Sequence, residues 1–143
     1  MATSTQAAPP KVMPTIDIQA QRMELLQKEG MIHFTGDVVV KQKSLELRCE
    51  ALKAKYDKEG NLVELTARGQ VRVNSPEWKA MADTAHYRRK ADVLELRGKP
   101  RVRQGKNWLE GVQVTIHLDE ERLVIEQARG QISAPLIDNV KTP

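Results

Sequence analysis

Apolar and polar residues alternate over much of this 143-residue chain. Over residues 32–41 the apolar side chains fall mainly at even positions and the polar ones at odd positions. A period of two over this length predicts a β-strand with one buried face. The same alternation recurs over residues 63–73 and 94–103. In the second segment the pattern predicts these inward-facing residues: Val63, Leu65, Ala67, Val71 and Val73.

Turn-forming sequences interrupt the alternation. They occupy residues 57–61, 74–76, 90–92, 104–107 and 119–122. Many short antiparallel strands joined by such turns predict an all-β fold, which is a sandwich, a barrel or a roll. A change of parity near Glu50 predicts a β-bulge or a corner at that point. Residues 21–30 stay ambiguous, because their apolar residues fit either a strand or one helical turn.

Glycines recur inside the strand-like segments at Gly36, Gly69, Gly98 and Gly130. The first three each open a unit of two strands and a turn, which cannot bury its apolar side alone. A glycine within a strand marks a bend or a close approach of two backbones. The repeat therefore predicts stacked units in which the sheet folds over in step.

The composition indicates one domain with an aliphatic core. Aromatic residues make up only 3% of the chain, so the core has to be built from Val, Leu, Ile, Ala and Met. The formal net charge of +4 favours anionic partners without choosing among them. We expect the domain at residues 15–132, between tails at residues 1–14 and 133–143 that are flexible or loosely docked.

Targeting signals are absent from the sequence as given. No apolar run approaches the roughly 20 residues that span a bilayer. The first residues lack the basic and apolar segments of a signal peptide, and they read like a mature N-terminus behind an added initiator Met. The single Cys49 excludes an internal disulfide and a zinc site of several cysteines.

The chemically reactive side chains form no catalytic or metal-binding pattern. His33, His86 and His117 fall on the outward parity of separate strands, without the spacing of a zinc motif. No nucleotide-binding loop or nucleophile motif occurs. We therefore expect no enzyme activity, no metal and no cofactor, and we expect Cys49 to be a small core residue.

A row of basic residues follows the outward parity of the central strands. It suits contact with phosphate groups or sugar acids, but a solvated strand face that discourages aggregation has the same pattern. Nucleic acid is a weaker alternative, because few aromatic residues accompany the row for base stacking. The basic row comprises Arg68, Arg72, Arg97, Lys99, Arg101 and Arg103.

Four stretches of the chain resemble the OstA-like domain of the lipopolysaccharide-transport family. They are residues 14–20, 32–42, 94–104 and 109–116, so that the resemblance runs from about residue 15 to residue 125. In the last stretch, Val112 stands where the family usually has an acidic residue, and Ile116 where it usually has an aromatic one. Each motif is short, but their order and spacing are fairly specific.

The resemblance implies a twisted, open β-jellyroll whose interior binds the acyl chains of lipid A. It also implies a periplasmic carrier, its export signal removed, that passes lipopolysaccharide from the inner to the outer membrane. Lipopolysaccharide and the related domains of the inner-membrane and outer-membrane components are then the expected partners. Without a membrane helix or a large barrel domain in the sequence, the free periplasmic member of the family is favoured.

The apolar positions of the strands are the candidate lipid contacts. A packed core and a lipid-lined interior predict the same pattern, so only the resemblance favours lipid contact. The candidate interior set comprises Ile32, Phe34, Val38, Val40, Leu47, Leu52, Val71, Val73, Leu94, Leu96, Val102, Val114 and Ile116.

An open sheet has two edges at which other chains can add. We expect these edges at residues 15–20 and 123–132, which contain no proline and alternate in polarity. Because the two edges differ, pairing between them would be head to tail. An alternative hypothesis is a structural β-solenoid scaffold that polymerises and binds no lipid, although scaffold repeats are usually more regular than these.

Overall fold

The computed structural model describes residues 15–132, which form twelve β-strands and one 3-10 turn. Both predicted tails lie outside these residues. The ambiguous segment contains a strand followed by the 3-10 turn at Gln27–Glu29. The strands are β1 Asp17–Gln19, β2 Arg22–Leu26, β3 Met31–Gln42, β4 Leu45–Tyr56, β5 Leu62–Asn74, β6 Lys79–Arg88, β7 Val93–Arg97, β8 Arg101–Gln104, β9 Asn107–Glu110, β10 Gln113–His117, β11 Arg122–Glu126 and β12 Arg129–Gln131.

The strands form one antiparallel sheet that is folded over along its length. The chain crosses the fold eight times, and we call each crossing a pass. Strands β3, β4, β5 and β6 are each one long pass, whereas β1 with β2, β7 with β8, β9 with β10 and β11 with β12 make the other four. The prediction of an all-β roll of antiparallel strands is confirmed.

The fold divides the sheet into two half-sheets that face each other. Half-sheet 1 contains β2, β7, β10 and β11, and half-sheet 2 contains β1, β8, β9 and β12. The four long strands contribute to both: Thr84–Arg88 of β6 pair with β7, whereas Lys79–Met81 pair with β8. Neighbouring passes run in opposite directions, and one continuous core lies between the half-sheets.

Glycines allow the chain to turn from one half-sheet into the other. Gly36, Gly69 and Gly98 have φ of 85°, 85° and 84°, in the left-handed region that side chains with a Cβ rarely adopt. The pairing register shifts by one residue at the first two, as at a β-bulge. The predicted fold-over at repeated glycines is therefore confirmed for these three positions, and we call this edge of the roll the corner.

Gly130 departs from the predicted repeat. It lies within β12, beyond the corner of the last pass, where the residue with positive φ is Gln127 at 51°. A Cβ on Gly130 would overlap the carbonyl oxygen of Trp108 on the neighbouring strand. This glycine therefore serves the close approach of β12 to β9, and not a corner. The parity change near Glu50 does lie at the corner, as predicted.

The core is aliphatic, as the composition predicts. Leu52, Val71, Val73, Leu96 and Val114 are all at most 2% exposed. They come from both half-sheets. The side chains of each half-sheet are therefore buried only when the opposite half-sheet packs against them. Each such side chain contributes roughly 1.5–3 kcal/mol by leaving water.

Val63 was predicted to face inward, and this prediction is wrong, because the side chain is 40% exposed. Lys55 pairs with Glu64 and Tyr56 pairs with Leu62, so that Val63 is the extra residue of a second bulge. Leu62 packs against the core at this level of the sheet. Apolar and polar residues can go on alternating through a bulge. The extra residue nevertheless shifts which side chains face the core, so the alternation no longer predicts their orientation.

No helix among residues 15–132 is long and apolar enough to cross a membrane.

The corner predicts a large effect of Gly98→Ala on stability. The left-handed backbone strains alanine by about 1–2 kcal/mol, and the new Cβ would also overlap Asp83 on the adjacent pass. Gly60→Ala is the matched control, since Gly60 has φ of 87° but no atom within 4 Å of the new Cβ. Urea unfolding should show a greater loss for Gly98→Ala by about 1–3 kcal/mol. Equal losses in the two variants would contradict the close packing of passes at the corner.

Candidate functional site

The roll is open on the side opposite the corner. There the turns that end the two half-sheets border a cleft of about 970 Å³. This volume lies at the upper end of the roughly 300–1,000 Å³ typical of small-molecule sites. The cleft therefore has the size of a binding site and gives access to the aliphatic interior from one side.

Apolar side chains from both half-sheets line the cleft. Half-sheet 2 and its turns supply one wall, and half-sheet 1 and its turns supply the other. These apolar residues are Leu45, Pro76, Trp78, Val102, Leu109, Ile116, Leu118 and Leu123. Apart from Trp78 they are aliphatic, and they share the lining with polar side chains of the turns.

Charged residues of both signs surround the mouth of the cleft. Lys43, Lys90 and Arg122 are cations at the mouth, and Arg122 lies 2.9 Å from Glu120. That interaction lowers the pKa of the exposed Glu120 carboxyl below its usual value. The rim also contains acidic residues, among them Glu77 and Asp119. A polar mouth over an apolar interior fits an amphipathic ligand.

A polar contact reaches between the two half-sheets at the cleft. The Tyr87 hydroxyl of half-sheet 1 donates a hydrogen bond of 2.8 Å to Asp92. The side chain of Gln42 on half-sheet 2 lies close to the same hydroxyl. Burial, together with the Asp92 carboxylate, raises the pKa of Tyr87, so the hydroxyl stays protonated and keeps its donor role. This link helps to set the width of the mouth.

The predicted interior set lies between the half-sheets. Of its thirteen members, Ile32 and Leu47 are partly buried and the others are buried. Val102 and Ile116 also line the cleft. Most of the set is thus core around and behind the cleft, and contact of these residues with lipid stays a prediction.

Several cleft residues were not among the predicted ones. Leu45, Leu109 and Leu123 follow the alternating pattern of their strands, and this signal could have found them. Trp78 and Leu118 lie in turns, where period-two alternation says nothing about orientation. Only the folded chain places these two side chains at the cleft.

The basic row lies on the outer surface of the roll. Arg68, Arg97 and Lys99 are exposed at or beside the corner, on the side away from the cleft. Arg101 stacks over the Trp108 ring at 4.8 Å and lies 3.7 Å from a Glu110 oxygen. A lipid seated in the cleft would therefore meet the rim cations, whereas the basic row lies on the outer surface of the roll.

The histidines and the cysteine have local structural surroundings. His33, His86 and His117 lie on different strands, and the His86 ring is 2.6 Å from a Glu64 oxygen. Cys49 is 7% exposed, as expected for a core residue. Burial raises the pKa of its thiol to about 11, so that the thiol is protonated at neutral pH.

Within residues 15–132, each end of the roll presents a sheet edge with no further strand paired to it. The first pass, β1 with β2, pairs on one side only, and so does the last pass, β11 with β12. Met23 and Leu25 belong to the inward rows of half-sheet 1, yet they are 62% and 55% exposed, because no strand of the described part of the chain lies beyond β2. The predicted edge at residues 15–20 contains only β1, and this edge continues into β2, whereas the predicted edge at residues 123–132 includes strands β11 and β12.

A folded-over antiparallel sheet with an aliphatic cleft along one side and an open edge at each end defines an open β-jellyroll. The sequence model of the family described as "LptA/(LptD N-terminal domain) LPS transport protein" matches residues 17–122. The match covers most of the chain. The protein belongs to this lipopolysaccharide-transport family.

A solved structure has the same fold. It is LptH from Pseudomonas aeruginosa, described as the LptA homologous periplasmic component of the lipopolysaccharide transport device. The two chains are 24% identical and superpose with a TM-score of 0.74, over 84% of this chain and 96% of that one. No curated protein matches the chain at a significant level.

The link across the cleft predicts a cost for Tyr87→Phe. The variant loses the hydrogen bond to Asp92 and the polar contact with Gln42 in a buried setting, so the free energy of unfolding should fall by about 1–3 kcal/mol. Tyr56→Phe is the control, since the Tyr56 hydroxyl has no hydrogen-bond partner among residues 15–132. Denaturant unfolding of both variants checks this, and equal stability of the two would refute a stabilising link.

Proposed function

We propose that this protein is a periplasmic carrier that holds the acyl chains of lipopolysaccharide between its half-sheets. It passes the lipid from the inner towards the outer membrane as one link of a bridge of similar domains. It acts by binding and transfer, without catalysing a reaction. The observation that carries this proposal is the cleft with aliphatic walls, open along one side of a roll whose first and last passes each pair on one side only within residues 15–132.

Shielding acyl chains from water is the main physical task of such a carrier. Each buried CH₂ group is worth about 0.8 kcal/mol, so a chain of a dozen carbons resists exposure by roughly 10 kcal/mol. A cleft with smooth aliphatic walls provides this shielding without holding the chain at fixed points. That combination suits a lipid that has to move on to the next domain.

The polar part of the lipid would remain at the mouth. Lys43, Lys90 and Arg122 lie there and fit the phosphate groups of lipid A. The acidic residues of the same rim limit the net attraction, so binding rests mainly on the acyl chains. The orientation is therefore tails inward and headgroup at the open side.

Photo-crosslinking tests which face of the sheet meets the lipid. A photoreactive phenylalanine analogue replaces Leu45 or Leu123, which line the cleft, or Val39 or Val124, which lie on outward rows. With lipopolysaccharide present, the two cleft positions should crosslink to it at least severalfold more than the two outward positions. The paired positions are similar in size and polarity, so they differ mainly in the face they occupy.

Three results would contradict the proposal. Equal crosslinking at all four positions would indicate non-specific adsorption. Crosslinking only at Val39 and Val124 would show that the lipid binds outside the roll. The absence of crosslinks, together with polymerisation of the protein, would favour the scaffold hypothesis instead.

The directions of the end passes favour head-to-tail assembly. The first pass runs from half-sheet 2 to half-sheet 1, and the last pass runs from half-sheet 1 to half-sheet 2. The last pass of one copy and the first pass of another can therefore pair antiparallel and continue both half-sheets. Related domains with the same fold in the membrane components could add in the same way.

The rows of paired residues give the register of this junction. In half-sheet 1 one inward row begins at Met23 and ends at Ile125. The adjacent outward row begins at Arg22 and ends at Glu126, so continued rows place opposite charges face to face. In half-sheet 2 a row of paired residues begins at Gln19 and ends at Arg129. Continuing this row into the next copy would pair these two residues, which agrees with the register inferred from half-sheet 1.

Engineered disulfides test the junction and its register together. In a Cys49→Ala background, Met23→Cys with Ile125→Cys should form disulfide-linked dimers and longer chains, because directly opposite residues have Cα atoms about 4.5–5.5 Å apart. Within one copy these residues are about 34 Å apart across seven strand spacings, which excludes an internal bond. Electrophoresis without reducing agent measures the products.

The control pair is Met23→Cys with Leu123→Cys, which is offset by two residues along the strand. A diagonal separation of about 7–8 Å should make bond formation much slower. Faster linkage of the offset pair would show that the register is wrong. If neither pair links at high protein concentration, the head-to-tail junction is wrong for this chain.

A further inference from the structure

The outer side of the corner carries a cluster of basic residues that the carrier role does not use. Arg68-Gly69-Gln70-Val71-Arg72 and Arg97-Gly98-Lys99-Pro100-Arg101 place an arginine on each side of a corner glycine. The two passes flank β6. We call Arg68, Arg72, Arg97, Lys99 and Arg101 the corner cations.

The pairing register brings the corner cations together. Arg68 and Arg97 both pair with Thr84, and Arg72 and Arg101 both pair with Met81. Arg68 therefore lies two strand spacings, or about 10 Å, from Arg97, and Arg72 lies at the same distance from Arg101. Because this is close to the Debye length at physiological ionic strength, their fields add at the surface.

Few neighbouring acids neutralise these charges. Among residues 15–132, Arg68, Arg72, Arg97 and Lys99 form no ion pair, while Arg101 lies 3.7 Å from Glu110. Two exposed carboxylates lie at the corner beside the basic passes, Asp83 next to Gly98 and Glu50 next to Gly69. Five cations beside these two carboxylates leave a locally positive surface.

The chemistry and shape of this surface fit an anionic lipid bilayer. The cleft at the open side and a smaller one beside the first pass both lie away from the corner. Met81 is 47% exposed between Arg72 and Arg101, and an apolar side chain among cations is typical of surfaces that lie on lipid headgroups. Nucleic acid finds no free stacking ring here, since Arg101 covers Trp108.

We propose that the corner cations dock the roll on the phosphate headgroups of anionic phospholipids at a membrane surface. The proposal is independent of lipid binding in the cleft, which opens on the opposite side of the roll. A docked roll keeps its mouth free. Head-to-tail copies joined in register would present the same surface along the whole assembly.

Vesicle binding tests the proposal with the full chain. The parent protein should co-sediment with vesicles of phosphatidylcholine mixed with phosphatidylglycerol, and weakly or not at all with vesicles of phosphatidylcholine alone. Arg68→Gln with Arg72→Gln and Arg97→Gln should weaken binding to the mixed vesicles at least tenfold, since each basic side chain near an anionic surface is worth about fivefold in affinity. The parent's binding should also fall as salt is raised.

The control variant removes the same charge elsewhere. Lys53→Gln, Lys55→Gln and Lys58→Gln neutralise three exposed lysines at the far end of half-sheet 1 and leave the cleft unchanged. This variant should retain binding within about twofold of the parent. Circular dichroism and thermal unfolding should show that both triple variants remain folded.

Three outcomes would overturn the proposal. Equal weakening in both triple variants would mean that net charge alone attracts the protein. If the parent binds equally well with and without phosphatidylglycerol, the protein binds the acyl region of the bilayer and not the anionic headgroups. If the parent ignores anionic vesicles but is retained on immobilised polyglutamate through the corner cations, the partner is an acidic protein instead.

Discussion

Each pass of the chain has to cross from one half-sheet to the other while it stays hydrogen-bonded to its neighbouring passes in both. At Gly36, Gly69 and Gly98 a left-handed residue solves this problem, because the backbone turns sharply and adjacent passes approach too closely for a Cβ. With the corner in step from pass to pass, the inward rows of the two half-sheets face each other. Core burial, the open side and the two end edges all depend on this geometry.

Closure on one side only is what separates this roll from an ordinary sandwich. Near the corner the aliphatic residues are fully buried and stabilise the fold. Towards the open side the half-sheets part into a cleft, with the Tyr87 link between them. The same aliphatic composition thus forms a packed core on one side and, on the other, an accessible cleft in which we propose that acyl chains are held.

The alternating pattern was sufficient to predict the strands and most of the core. It misplaced Val63, because a bulge changes the orientation of side chains without altering the sequence pattern. It could not find Trp78 and Leu118, since side chains in turns follow no alternating pattern. It also could not show that the roll opens into a cleft on the side opposite the corner. Gly130 shared the spacing of the corner glycines but has a different role, because spacing alone does not report φ.

The central claim is that acyl chains are held in the cleft. Native mass spectrometry of the protein with lipopolysaccharide, compared with the same lipopolysaccharide stripped of its acyl chains, tests this claim most directly. We predict a stoichiometric complex with the intact lipid and little or none with the deacylated form, since roughly 10 kcal/mol per chain of a dozen carbons comes from removing CH₂ groups from water. Equal binding of both forms, or binding of neither, would contradict the account.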